Sequence, residues 1–109
     1  MKMPPPDPKA LTRFERIAED LAPRGATTTK MMGMPALKVS GKMFAGVWGD
    51  AMNFKLGGED HARALKLKGA ELFDPSGVGR AMKEWVVVPA AQAKRWAELA
   101  EAARRYVTA

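Results

Sequence analysis

The hydrophobic rhythm of this chain changes twice, and those changes limit the folds open to it. Leu11, Phe14, Ile17, Ala18 and Leu21 recur every three or four positions, which puts them on one stripe of a helix. From Thr27 to Leu56 the rhythm is two. Met52-Asn53-Phe54-Lys55-Leu56 alternates apolar with polar, the pattern of a strand with one buried and one wet face. The three-to-four spacing returns at Trp96, Leu99, Ala103 and Tyr106/Val107. A chain with both periods in separate blocks folds as helices packed on a sheet.

Turn residues mark the breaks between blocks. Pro4, Pro5, Pro6 and Pro8 remove amide donors and disfavour helix, so residues 1–8 read as a flexible Pro-rich tail. The first helix is expected from Lys9 and stops at Pro23 and Gly25. Thr27, Thr28 and Thr29 favour strand through their β-branched side chains. Leu37-Lys38-Val39, Met43 to Trp48 and Met52 to Leu56 follow as a β-meander with turns at Ser40-Gly41 and Gly49-Asp50. Glu59 and Asp60 suit the positive end of a short helix over His61 to Leu67. Glu71 to Phe73 and Lys83 to Val88 are strand candidates around a loop from Asp74 to Gly79. A last helix carries Trp96 and an i,i+4 pair, Glu101 with Arg105. The order α–βββ–α–ββ–α predicts an α+β sandwich of two layers with a mostly antiparallel sheet, and a single domain over residues 9–109.

Register sharpens the prediction. A two-residue turn at Gly49-Asp50 sets Met52 against Val47, Phe54 against Ala45 and Leu56 against Met43. Leu37 and Val39 join that side only if Val39 opposes Met43, across a three-residue connection Ser40-Gly41-Lys42. Lys38, Phe44, Gly46, Trp48, Asn53 and Lys55 then point the other way. Phe44 and Trp48, with Lys38 and Lys55 beside them, make this the candidate interaction face. Burying one such aromatic removes on the order of 150–250 Å² from water. Cover by the chain's own helices, a homodimer interface and a nucleic-acid or small-ligand platform all satisfy that demand. Three helices are too few for both faces of a five-stranded sheet, so a homodimer through this face or the neighbouring sheet edge is expected. Met31, Met32 and Met34 suit either an adaptable apolar surface or core filling.

Composition removes the cysteine-based chemistries and supports no specific enzyme assignment. The 109 residues include no Cys, which excludes disulfides, thiolate nucleophiles and Fe–S clusters, and a cytoplasmic home is the default. No apolar run approaches the ~20 residues of a membrane span, and MKMPPPDP has no apolar core of a secretory signal. His61 is the sole imidazole, too few for a clustered metal site, and reads as a solvated helix residue. Neither Ser40 nor Ser76 sits in a nucleophile elbow. The loop residues Gly77, Gly79 and Arg80 offer amides and a guanidinium to an anion, without the spacing of a P-loop or a dinucleotide site. No cofactor is implied. The net charge of +6 concentrates in residues 26–57, with four cations against one anion, which keeps a nucleic-acid partner in view.

Thr29-Lys30-Met31-Met32-Gly33, Gly41-Lys42-Met43-Phe44-Ala45, Phe54-Lys55-Leu56, Met82 to Pro89 and the Trp96 helix carry a family resemblance. Over roughly residues 9–107 the chain resembles the N-terminal domain family of the TfoX/Sxy competence regulators. Members of that family often have Met-Phe-Gly where this chain has Met31-Met32-Gly33. The resemblance implies a YjbR-like α+β fold and a role in transcription of competence genes, in which the full regulators carry a second, C-terminal domain. It brings no catalytic motif. The expectation is a non-enzymatic regulatory or adaptor domain acting through protein contacts, with a nucleic-acid-binding module on a basic-aromatic sheet face as the alternative.

Overall fold

In a computed structural model, which describes residues 5–109, the first helix begins where a cap can hold it. The Asp7 carboxylate accepts from the N–H groups of Lys9 (3.1 Å) and Ala10 (3.3 Å), and Pro8 occupies the first turn, where no donor is needed. Helix α1 (Pro8–Leu21) buries Ala10, Phe14, Ile17 and Leu21. The expected tail therefore ends sooner: the Asp7 N–H also donates to the Gly49 carbonyl (2.9 Å), and residues 1–4 lie outside the described residues. A short 3₁₀ turn (Ala22–Arg24) and Gly25, with φ +91°, redirect the chain into the sheet.

Strands β1 (Thr27–Met31), β2 (Met34–Val39), β3 (Lys42–Trp48), β4 (Ala51–Lys55), β5 (Glu71–Phe73) and β6 (Met82–Val88) form one sheet in the order β1-β2-β3-β4-β6-β5. Every pairing is antiparallel. The threonine run supplies an edge strand, so the sheet has six strands among the described residues. Helices α2 (Gly58–Leu65) and α3 (Trp96–Thr108) join α1 on one face, giving the two-layer α+β sandwich. The main core lies between these layers and is built on Phe14, Leu37, Phe44, Phe54, Val86 and Trp96. The Trp96 indole N–H donates to the Val88 carbonyl at 3.2 Å, which seats the start of α3 on the sheet. The expected Glu101–Arg105 pair gives way to Glu101 bound by Arg104 (2.7 Å) and, from across the fold, by Arg24 (3.1 Å).

The β3–β4 register matches the expectation at Ala45 with Phe54 and Val47 with Met52, and Trp48 faces Ala51. The expected pair of Leu56 with Met43 does not form, because β4 ends at Lys55 and the Leu56 N–H donates to the Glu84 carbonyl. Gly49 takes φ +63°, as a two-residue hairpin turn requires of its first position. The β2–β3 register does not match. The turn there has two residues, Ser40 (φ +51°) and Gly41 (φ +77°), so Val39 opposes Lys42 and Lys38 opposes Met43. That register turns Phe44 toward the core, whereas the β3–β4 register turns Ala45 and Val47 there. The two demands differ by one residue. A bulge at Phe44 reconciles them, since Leu37 opposes Ala45 and Phe44 is the extra residue. Phe44 is consequently 0% exposed among the helix-facing residues, and Met43 is turned outward at 37%. The expectation that Phe44 belongs to the outer face, and Met43 to the core, is corrected by this bulge.

Candidate functional site

With all three helices on one side, the other face of the sheet covers itself. Met31, Ala36, Phe73 and Trp85 form a second, smaller apolar cluster there, flanked by Met32, Trp48, Met82 and Val87. Trp48 meets Phe73 edge to face, with ring centroids 4.9 Å apart, so one of the expected exposed aromatics is half-covered by a neighbour the sequence placed in another strand. Of the four residues predicted for the interaction face, Trp48 and Lys55 lie here, and Lys38 alternates with the core-facing Leu37 and Val39. Phe44 does not.

At the opposite end from Trp48 an open groove of ≈ 600 Å³ crosses this face. Its apolar lining is Met31, Met32, Met43, Met82 and Trp85, and its cations are Lys30, Lys42 and Lys55. No carboxylate lines it. None of the three lysines takes part in an ion pair among the described residues. Trp85 itself is 7% exposed, so little of its ring is open to the groove. Of these residues the sequence reading placed only Lys55 in the interaction face and singled out Met31 and Met32. Lys30, Lys42, Met43, Met82 and Trp85 come from three strands, β1, β3 and β6, that only the sheet brings together.

Beneath the groove lies Asn53, 0% exposed, with neither side-chain amide atom bonded within the protein. A Cβ at Gly46, its cross-strand neighbour, would fall 2.9 Å from Asn53 Oδ1 and 3.2 Å from Met31 Cε. The carboxamide and the Met31 methyl thus sit side by side over Gly46, and only glycine leaves room for both. The signal available in the sequence was an Asn inside a strand, where that residue is disfavoured.

The candidate anion loop is occupied by its own carboxylate. Asp74 accepts from Ser76 Oγ–H (2.6 Å) and from the N–H groups of Ser76 (3.2 Å), Gly77 (3.1 Å) and Gly79 (2.8 Å). The Ser76 hydroxyl first, and then these amides, hold the Asp74 carboxyl below the usual carboxylate range. The Gly77 and Gly79 amides are engaged from within, and Arg80 is exposed. Beside the loop a depression of ≈ 310 Å³, lined by Trp48, Phe73, Val87, Glu71 and Asp74, gives this end of the outer face an acidic character.

His61 Nε2 lies 2.8 Å from the Lys83 carbonyl, a contact that makes this nitrogen the donor and ties α2 to β6. Among the described residues no three His, Cys, Asp or Glu side chains cluster for a metal ion, and no helix is long and apolar enough to cross a membrane.

No curated protein and no solved structure matches the chain. The family model of the TfoX N-terminal domain matches residues 19–109, from the last turn of α1 through the end of α3. That span includes every strand and the whole outer face. The chain belongs to the TfoX N-terminal domain family.

Proposed function

We propose that this domain is a non-enzymatic regulatory or adaptor module of the cytoplasm, acting through protein contacts made by the outer face of its sheet. The observation that carries this reading is the groove: four thioethers on its floor and walls, and three lysines that take part in no ion pair among the described residues, although Glu84 shares an adjoining depression with Lys42 and Lys55. Thioether side chains repack around different apolar partners, and cations outside any ion pair select and orient an acidic one. A part in transcription of competence genes is what the family resemblance adds.

The lysines also favour the second reading, a nucleic-acid-binding module. Base stacking needs an open aromatic face. Trp85 is buried, Phe44 is in the core and Trp48 is engaged by Phe73, so protein contact is the better fit. The test is a pull-down from the native cell with mass spectrometry, comparing the wild type with Lys30→Glu/Lys42→Glu/Lys55→Glu. A set of proteins retained by the wild type and lost from the variant is expected. Nuclease-sensitive nucleic acid as the main retained species would favour the second reading. Turnover of a small molecule, abolished by one polar substitution on this face, would overturn both.

A further inference from the structure

We propose that a second copy of this chain occupies the groove: the Asp74–Gly79 loop of each protomer sets Val78 among the methionines of the other, with Glu71 and Asp74 beside its lysines. The proposal rests on the outer face being a protein-contact surface and names one partner for it.

Both halves of the contact are present on one molecule. Among the described residues the exposed large apolar side chains are Met43, Val78 and Tyr106. Met43 lines the groove; Val78, at 72% exposure, stands on the loop. A valine so exposed on a floppy loop would be unremarkable, but this loop is braced. The four hydrogen bonds to the Asp74 carboxylate and a fifth, from the Val78 N–H to Ser76 Oγ (3.3 Å), hold it in shape, so little ordering cost attends docking.

Charge selects the same pairing. From Glu71 to Arg80 the chain carries two acids and one base, the exposed Arg80, for a net charge of −1, and the groove lining carries three bases and no acid. Two grooves placed face to face would set lysine against lysine, which disfavours a two-fold axis through the groove itself. An axis between groove and loop instead brings opposite charges together twice. The distance between them is short, because Phe73 pairs with Met82 and the loop spans that pair, while Met82 also lines the groove. A two-fold contact is self-complementary by construction: groove meets loop, and loop meets groove. The patch is small beside the ~1,200–2,000 Å² of a standard interface, so the dimer is a weak one.

Sedimentation equilibrium from about 1 μM to about 1 mM tests this, with circular dichroism confirming that each variant is folded. The wild type is expected to dimerise reversibly. Val78→Asp, at an exposed position, should weaken dimerisation by about tenfold or more. Glu71→Lys alone and Lys30→Glu/Lys42→Glu/Lys55→Glu alone should each do the same. Mixed together, those last two variants restore opposite charges at both contacts, and a heterodimer should form. A wild type monomeric at every concentration, a dimer indifferent to Val78→Asp, or a mixture that stays monomeric would each overturn the proposal. Retention of other proteins in the pull-down would leave the adaptor reading standing in all three cases.

Discussion

Asn53 shows how one residue can be out of keeping with its surroundings and still be retained by the packing. Its carboxamide is enclosed by Gly46, Met31 and the flanking strands without a hydrogen bond inside the protein. A buried amide left unpaired costs about 1–3 kcal/mol. Leucine has nearly the same shape and no polar atoms. Asn53→Leu is therefore expected to raise stability by about 1 kcal/mol or more, read as a higher urea midpoint with an unchanged slope. A lower midpoint would mean that the carboxamide finds a partner in solution. Asn53 was legible as outward-facing from the alternation of its strand. That it is enclosed was not legible, because enclosure depends on Met31, more than twenty positions away in the chain.

Strand β3 is where two neighbouring hairpins disagree. The two-residue turn before it and the two-residue turn after it specify registers one residue apart, and the bulge at Phe44 absorbs the difference. Phe44 then fills the helix-facing core instead of the outer surface. Phe44→Ala is expected to lower stability by about 3–5 kcal/mol, measured by denaturant unfolding, since the cavity left is sealed by α1 and α3. It should not change the association of folded molecules, because the side chain never reaches that face. Loss of dimerisation in folded Phe44→Ala protein, with stability unchanged, would contradict this placement.

At the scale of the whole molecule, Glu101 closes the helical layer by holding Arg104 on its own helix and Arg24 beyond the end of α1. The hydrogen bond from Arg104, more than the charges of Arg104, Arg24 and Arg105, keeps the Glu101 carboxyl below its ordinary value. A carboxylate depressed in the folded state contributes stability that is complete above its unfolded pKa and lost as pH falls through the folded one. Unfolding midpoints should accordingly fall on acidification below about pH 4–5, less steeply in Glu101→Gln, which should cost about 1 kcal/mol at neutral pH. Identical pH profiles for the two proteins would show that Glu101 is not the group responsible. What the sequence by itself determined was the periodic part of this protein: the order of helices and strands, the β3–β4 register and the family, because spacing, turn residues and short motifs are local properties. The register of β2 on β3, the make-up of the basic methionine groove and the internal capture of the Asp74 carboxylate were decided only in three dimensions. Each depends on a competition between distant parts of the chain for one position, one face or one set of amides, and a local pattern records the contestants without the outcome.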